Sequence, residues 1–207
     1  MEHAPDLILA SASPRRRELL ERLGLVLRIE SVDLDEAPTP GEAARVYVRR
    51  LAIAKCDGAL ARLGQAAEGL PLLAADTAVV LGDEILGKPA SQDEAALMLR
   101  RLAGRRHEVM TGYRVHFAGR MVERVVSTGV TFRSLDPAEV QAYLDSGEWQ
   151  GKAGGYAIQG IAGAFATEVR GSFSNVVGLP LAEVLADLRA LQALPGYPPP
   201  GFGGAAR

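Results

Sequence analysis

The stretch LILASASPRRRELLERL, residues 7–23, predicts a buried strand that leads directly into a helix. The apolar run 7–10 is typical of a buried strand. Ser13 is expected at the N-cap and Pro14 at the first helical position, because these residue types favour helix starts. Gly24 is expected to end the helix. The short connection between strand and helix contains two serines and no bulky side chain.

Arginines occupy the first turn of this helix, where positive charge is unfavourable. Residues 15–17 are all arginine, and the helix dipole disfavours each exposed cation there by about 0.3–1 kcal/mol. Ser11 and Ser13 would direct their hydroxyls at the same place as the free amides and the guanidinium groups. A bound anion would relieve the repulsion, and phosphate suits this geometry. The alternative is a solvated basic turn after an ordinary helix start.

The composition is that of a globular protein with a small negative charge. Of 207 residues, 48% are hydrophobic and 23% are charged, and the formal net charge is −2. This balance argues against a nucleic-acid partner, which needs a basic excess, and suits a small anionic ligand at a locally basic site. We expect one domain over residues 1–194 and a disordered Pro/Gly-rich tail over 195–207.

Cysteine usage and hydropathy bear on where the protein resides. Cys56 is the single cysteine, so no internal disulfide can form, which fits the reducing cytoplasm. No apolar run approaches the roughly 20 residues of a membrane span, and the first ten residues lack the basic and apolar regions of a leader. We expect a cytoplasmic protein with no membrane partner.

A second apolar stretch, LPLLAADTAVVL at residues 70–81, contains an acid in its middle. A run this apolar predicts a strand buried on both faces. An ionised carboxylate buried without a partner costs several kcal/mol, so Asp76 must either lie at a cleft or contact a cation. The flanking run offers no group for it to cap, which favours a functional acid. Thr77 follows it directly.

Two lysines could face the same cleft. Lys55 lies four residues after Leu51 and seven after Val48, so it shares the apolar face of a helix predicted over 42–63. Its ammonium could extend outward to solvent, which is the common case, or point into the cleft. Lys88 lies in a constrained Gly-Lys-Pro loop, where it could be a second cation of the cleft or a plain exposed lysine.

Two loops complete the candidate chemistry. Residues 33–41 carry three acids, including Glu36, that either reach a metal or a base edge or are simply solvated. Residues 148–163, EWQGKAGGYAIQGIAG, contain five glycines, which let the backbone approach a ligand closely. Gln159 could read a base edge through its amide donors and acceptor. Tyr156 could stack on a ligand or pack in the core.

The rest of the pattern predicts strands over 107–117, 121–132, 164–169 and 173–177 and a helix from Pro180. Gly112, inside the first of these strands, predicts a bulge. No HExxH or CxxC spacing, P-loop or GxGxxG loop is present. This disfavours a preformed zinc site, a P-loop kinase and a dinucleotide dehydrogenase.

Together these segments resemble the Maf family of nucleoside triphosphate pyrophosphatases, in order, from Leu7 to about Leu191. The matching segments are ASASPRR (10–16), DE (35–36), Leu51 with Lys55, ADT (75–77), LGKP (86–89), VMTG (109–112), KAGGYAIQG (152–160) and VGLP (177–180). The resemblance implies an α/β fold like that of the inosine triphosphate pyrophosphatases. In that fold an elongated, twisted mixed sheet with flanking helices forms two lobes around a central cleft.

The resemblance also implies an activity. Such enzymes hydrolyse a nucleoside triphosphate between its α- and β-phosphates, giving monophosphate and pyrophosphate, with a divalent cation such as Mg²⁺ or Mn²⁺. The KAGGYAIQG run is similar to the branch that acts on dTTP and UTP. Members are cytoplasmic and often dimeric, so a homodimer is expected. The alternative function, suggested by the family's septum-formation name, is a non-catalytic nucleotide-binding regulator of cell division.

Individual residues take roles by the same resemblance. Asp76 matches the proposed proton acceptor and, with Glu36, would hold the metal. Arg15, Thr77 and Gln159 match positions credited with substrate selection. The other residues expected around the phosphates are Ser11, Ser13, Arg16, Lys55, Lys88 and Lys152. Arg17 has no match and is expected on the surface.

Overall fold

The computed structural model describes residues 4–198, which form one mixed sheet with helices on both faces. The elements are, in chain order, β1 (Leu7–Leu9), α1 (Pro14–Glu21), β2 (Leu27–Ile29), α2 (Ala44–Leu63), β3 (Leu72–Leu81), β4 (Glu84–Leu86), α3 (Gln92–Leu102), β5 (Arg106–Phe117), β6 (Arg120–Phe132), α4 (Pro137–Asp145), β7 (Ala166–Arg170), α5 (Phe173–Val177) and α6 (Leu181–Ala190). The expected α/β fold with a mixed sheet and flanking helices is confirmed.

Across residues 4–198 the sheet has seven strands in the order β2-β1-β3-β5-β6-β7, with β4 paired to β3. β1 runs parallel to both β2 and β3. The long strands β3, β5 and β6 pair antiparallel, and β7 extends the sheet antiparallel to β6. The strand-turn-helix unit predicted from the first stretch therefore lies beside the long central strand β3.

Strand β3 is buried on both faces because it lies between hydrophobic clusters. Leu73 and Val79 pack into the larger core, which includes residues of α3, α4 and α6. Ala74 and Ala78 pack on the opposite face against α2. Because side chains alternate along a strand, the two neighbouring polar residues in the middle of β3 point to opposite faces of the sheet.

One edge of β3 is paired at both ends but not in the middle. β1 pairs with Leu72 and Leu73, and β4 pairs with residues 79–81. Along this edge, residues 74–78 have no strand partner among residues 4–198. The other edge of β3 pairs with β5 without interruption from Leu72 to Val80. The gap leaves the middle of the central strand open to side chains and ligands.

The bulge predicted at Gly112 is wrong. Gly112 pairs in register with Asp76 on one side and Val125 on the other. A Cβ at Gly112 would lie 2.5 Å from the carbonyl oxygen of Val48, so the glycine lets α2 lie directly on the sheet. That close contact lets the side chains of α2 reach the gap in β3.

The strand predicted over 173–177 is also wrong, since these residues form α5. The Ser172 hydroxyl accepts the N–H of Asn175 and caps this short helix, a local bond that the sequence analysis did not anticipate. Strand β4 was not predicted. It is a three-residue strand after the turn at Gly82, too short for a recognisable pattern.

The predicted tail is described only as far as residue 198. Within it, Tyr197 packs against the larger core, and the Arg189 guanidinium lies 5.4 Å from its ring centroid. Residues 199–207 lie outside the described residues, so a disordered tail stays a prediction. No helix within residues 4–198 is long and apolar enough to span a membrane.

Candidate active site

A cleft of about 460 Å³ opens at the gap in β3. The residues predicted from the sequence to form a site all line it: Ser11, Ser13, Arg15, Arg16, Glu36, Lys55, Asp76, Thr77, Lys88, Lys152 and Gln159. They come from the connection between β1 and α1, from α1, α2 and β3, from the loops before α2 and α3, and from the glycine-rich loop after α4. The fold brings the predicted residues together, whereas their individual roles stay predictions.

An ion-paired cluster, defined by Glu36, Lys55, Asp76 and Lys88, lies on the α2 side of the gap. Lys55 Nζ donates to Asp76 Oδ1 over 2.6 Å and to Glu36 Oε1 over 2.5 Å. Lys88 Nζ donates to Glu36 Oε2 over 2.9 Å. Lys55 therefore points into the cleft rather than outward, and Asp76, only 7% exposed, meets a cation as its burial requires.

The Glu36 carboxylate is held ionised by two lysines. Burial alone would raise its pKa, but the hydrogen bonds from Lys55 and Lys88 lower the pKa of Glu36 to about 2. Both of its oxygens are engaged. Asp76 differs, because no donor among residues 4–198 contacts its Oδ2 atom. That oxygen is not among the buried unpartnered atoms, so it remains accessible from the cleft.

Arg16 is built into the wall of the gap. It is 8% exposed, and its guanidinium donates to the carbonyls of Gly178 and Ala75, each over 2.8 Å. It also donates to the hydroxyls of Ser11 and Thr77, each over 3.0 Å. The Ala75 carbonyl lies where β3 lacks a strand partner, so Arg16 supplies a missing donor. Arg16, which was predicted to bind phosphate, thus uses four of its five guanidinium N–H groups within the protein.

Arg15 and Lys152 form a cationic pair without carboxylate partners. Arg15 Nε donates to the Val177 carbonyl over 3.3 Å, and Lys152 Nζ donates to the Gln150 carbonyl over 3.0 Å. Neither has an ion pair within the described part of the chain. Burial lowers the pKa of both groups, and Arg15 lowers the pKa of Lys152 further. Such a pair favours an anionic ligand.

The two serines before α1 differ in availability. Ser13 occupies the N-cap position as predicted, but its side chain makes no capping hydrogen bond. The Ser11 hydroxyl already accepts from Arg16 and from the Ser13 amide. Thr77 is likewise engaged, because its hydroxyl lies 2.9 Å from the hydroxyl of Thr111. Of these hydroxyls, the one on Ser13 has no hydrogen-bond partner among residues 4–198 and can bind a ligand at the helix start.

The glycine-rich loop presents Gln159 on an exposed surface of the cleft. Its side chain makes no hydrogen bond within residues 4–198, so the carbonyl oxygen and the NH₂ group of its amide are both available to a ligand. Tyr156 packs in the core instead of offering a stacking face. It is 6% exposed, and its ring packs edge-to-face against Phe132 at a centroid distance of 4.9 Å.

Sequence reasoning missed two residues that support this loop. His107 Nε2 lies 2.8 Å from the Tyr156 hydroxyl, and burial lowers the pKa of His107 to about 4, which keeps it neutral. The Tyr143 hydroxyl accepts the Ala157 N–H over 3.1 Å. Position 107 begins an alternating strand and position 143 lies on an amphipathic helix, so burial of both was readable. Their hydrogen-bond partners, Tyr156 and Ala157, lie in a later loop, so the sequence did not show which residues would meet.

The carboxylates of the cleft supply only part of the ligands that a metal ion needs. No group of three or more His, Cys, Asp or Glu side chains within residues 4–198 could hold an ion. Mg²⁺, however, is commonly held by one or two carboxylates together with substrate phosphates. The accessible Oδ2 of Asp76 fits that arrangement. The residues suit a cation that arrives with a phosphate ligand rather than one bound by protein groups alone.

Comparison with known proteins agrees with the geometry. A family model described as Maf-like protein matches residues 6–191. A protein of Anaeromyxobacter dehalogenans strain 2CP-1 named dTTP/UTP pyrophosphatase is 52% identical over 201 residues, covering 95% of this chain and 97% of that protein. Proteins with the same name from Bordetella parapertussis and Myxococcus xanthus are 51% and 52% identical, covering 90% and 87% of this chain and 92% and 89% of their own lengths. The chain therefore belongs to the Maf family.

Proposed function

We propose that this protein hydrolyses dTTP and UTP between the α- and β-phosphates, releasing the nucleoside monophosphate and pyrophosphate. The observation that carries the proposal is a buried carboxylate with one accessible oxygen, Asp76, in the same cleft as a cationic pair. The relatives with half of their residues identical are named dTTP/UTP pyrophosphatase. Modified pyrimidine nucleotides with the same base edge are further candidate substrates.

The triphosphate is bound by the cations that the protein leaves unpaired. Arg15 and Lys152 have no carboxylate partner within residues 4–198, and the Ser13 hydroxyl and the amides of the α1 start lie beside them in the cleft. Lys88, which is exposed and bonded to Glu36, can turn to a phosphate oxygen. Neutralising the bridging and terminal oxygens makes pyrophosphate a better leaving group.

A divalent cation, Mg²⁺ or Mn²⁺, would be held by Asp76 and Glu36 together with the phosphates. When bound, it supplies further neutralisation of phosphate charge. Lys55 donates to both carboxylates and fixes their orientation before the substrate arrives. When Lys88 turns to the phosphates, it releases Glu36 Oε2, which could then serve as a second carboxylate ligand of the cation.

Asp76 is the proposed proton acceptor. Its Oδ1 atom is held by Lys55, so the accessible Oδ2 atom orients a water molecule and takes its proton through one of its two lone pairs, which leaves the other for the cation. That water attacks the α-phosphorus, the bond to the bridging oxygen breaks, and pyrophosphate leaves. General base catalysis of this kind contributes about 10²- to 10⁴-fold to a rate.

Gln159 is proposed to read the base. An amide carries one acceptor and two donor hydrogens, which match the carbonyl and N–H groups on the edge of thymine and uracil. Its exposure and its lack of an internal partner among the described residues leave it free for this contact. Thr77, credited with substrate selection by resemblance, contributes through Arg16 instead, since its hydroxyl is engaged within the wall.

The test is a panel of nucleoside triphosphates assayed with Mg²⁺ and with Mn²⁺. We expect the highest kcat/KM with dTTP and UTP, pyrophosphate and monophosphate in equal amounts, and no turnover after chelation of the metal. Release of inorganic phosphate instead of pyrophosphate would contradict the proposed bond. Nucleotide binding without turnover would favour the non-catalytic regulator of cell division.

We further propose a cytoplasmic location and a homodimer. The single cysteine, which is buried and unpaired, supports a reducing compartment. The net charge of −2 gives no support to a nucleic-acid partner. Sedimentation of the purified protein tests the dimer, which is expected to run at twice the monomer mass.

A further inference from the structure

The side chain proposed to read the base depends on its backbone for its position. Gln159 has no hydrogen bond of its own within residues 4–198. The chain before it is held from the core, because the Ala157 N–H donates to the Tyr143 hydroxyl over 3.1 Å. What holds the chain after it therefore decides where the amide lies relative to the cleft.

Among residues 4–198, Glu148 supplies the one side-chain hydrogen bond to residues 160–163, beside the backbone bonds from Gly160 to Ala157 and from Gly163 to Gly160. Glu148 Oε2 accepts the N–H of Ile161 over 2.9 Å. This bond joins the start of the glycine-rich loop to Ile161, the second residue after the proposed base reader. Glu148 itself is half-buried, so its replacement does not remove a side chain from the hydrophobic core.

Gly160 shows how closely this carboxylate lies against the backbone. A Cβ at Gly160 would lie 2.1 Å from Glu148 Oε2 and 2.6 Å from its Cδ atom. The φ of Gly160 is −106°, so a left-handed conformation is not the reason for glycine. The carboxylate occupies the space of a Cβ at this position, so a side chain there would displace the carboxylate from the backbone.

From this geometry we propose that Glu148 is a positioning residue that fixes Gln159 for recognition of the base. The inference rests on the proposed function, because it assigns a support to the side chain that selects the nucleotide. Glu148 does not touch the reacting phosphates. It acts through the backbone of Gly160 and Ile161, and its effect should appear in nucleotide affinity rather than in the chemical step.

A purely local role for Glu148 predicts different behaviour. If the carboxylate only caps the 3₁₀ turn at 161–165, its loss lowers stability without depending on Gln159. The charge of Glu148 also raises the pKa of Lys152 against burial and Arg15, so a charge effect must be separated. Glu148→Gln keeps an acceptor for the Ile161 N–H while removing the charge, and is the matched control for Glu148→Ala.

The experiment is a double-mutant cycle between Glu148→Ala and Gln159→Ala. It is measured as the KM and kcat of dTTP hydrolysis and as the Kd for dTTP in metal-free buffer. We expect Glu148→Ala to raise KM and Kd about tenfold, the value of one hydrogen bond to the base. In the Gln159→Ala background the same change should raise them less than twofold. Glu148→Gln should stay within about twofold of wild type, and kcat should change little in either variant.

Gly160→Ala supplies a second route if Glu148→Ala does not fold. It displaces the carboxylate without deleting it, and is expected to raise Kd about tenfold, again only when Gln159 is present. An equal factor in both Gln159 backgrounds, or a wild-type Kd in both variants, overturns the positioning role. Wild-type protein that binds dTTP without hydrolysing it refutes the proposed reaction, and the Kd cycle still decides the role of Glu148. Neither binding nor turnover in wild type overturns both.

Discussion

The ion-paired cluster and the cationic pair lie in one cleft but hold their charges in different ways. In the cluster, each lysine contacts a carboxylate within 2.9 Å, so the charges are neutralised inside the protein. Within the described part of the chain, Arg15 and Lys152 donate hydrogen bonds only to backbone carbonyls. The difference separates two tasks: neutralised, oriented groups suit proton transfer, while unpaired cations suit the capture of an anion.

The largest effect is expected from Asp76→Asn, which breaks the cluster at its proposed base. The asparagine keeps an acceptor for Lys55 but does not take a proton, so kcat should fall about 10³-fold while KM changes less than about threefold. Coupled detection of pyrophosphate measures both values, and circular dichroism checks the fold.

A matched control for this change is Asp187→Asn outside the cleft. Asp187 is a buried carboxylate that accepts from Arg124 and Tyr113. Its substitution should lower the free energy of unfolding by about 2 kcal/mol and leave kcat per folded molecule unchanged. A wild-type kcat in Asp76→Asn would remove that residue from the chemistry.

The next effect concerns an arginine that belongs to neither region. Arg16→Met removes the donors to Ala75, Gly178, Ser11 and Thr77, which leaves buried acceptors without partners. The free energy of unfolding should fall by about 3 kcal/mol, measured by urea denaturation. Wild-type stability in this variant would show that Arg16 is not a support of the open edge of β3.

Arg15→Ala tests the cationic pair. Loss of one unpaired cation should raise the KM for dTTP about 30-fold, as expected for a charge-assisted hydrogen bond, with kcat within about threefold. Arg15→Lys should recover part of the affinity. Arg17→Ala is the control, since Arg17 is exposed and pairs with Glu21. An effect on kcat alone would place Arg15 with the chemistry instead.

The smallest effect is the pH dependence of the cluster. Because the pKa of Glu36 lies at about 2 in the folded protein and 4.5 is its ordinary value, its ionised form stabilises the fold above pH 4.5. This contribution is lost as the pH falls toward 2. Solvent screening limits it to about 1 kcal/mol. Glu36→Gln should therefore destabilise the protein at pH 5 and converge with wild type near pH 2. A difference in the free energy of unfolding that is the same at pH 5 and at pH 2 would contradict the lysine contacts.

Much of the site could be predicted because it follows from local sequence. Helical spacing placed Lys55 on the apolar face of α2, and the apolar run placed Asp76 inside a buried strand. Spacing could not predict that Lys55 points to Asp76. A lysine on this face of α2 could extend its ammonium to solvent or into the cleft with the same helical spacing. The close contact between α2 and Gly112 decides it, and that contact depends on the whole sheet.

The arginine turn shows where sequence reasoning ended. Arg15 and Arg16 are equivalent in the pattern and both line the cleft, yet Arg15 donates only one hydrogen bond within residues 4–198, whereas Arg16 donates four, one of them to Ala75. The distinction arises because β1 ends at Leu9 and leaves a carbonyl of β3 unpaired. Which carbonyl needs a donor depends on how strands that are distant in sequence pair, so the local pattern could not show it. Residues 173–177 were wrongly predicted as a strand for a local reason, because the hydrogen bond from the Asn175 N–H to the Ser172 hydroxyl starts a helix there.

The central claim is that the cluster directs a water molecule at the α-phosphorus. Hydrolysis of dTTP in water enriched in heavy oxygen, followed by mass spectrometry of both products, tests it most directly. Attack at the α-phosphorus places the label in thymidine monophosphate and leaves pyrophosphate unlabelled. Label in pyrophosphate would show attack at the β-phosphorus and contradict the roles assigned to Asp76 and to the cationic pair.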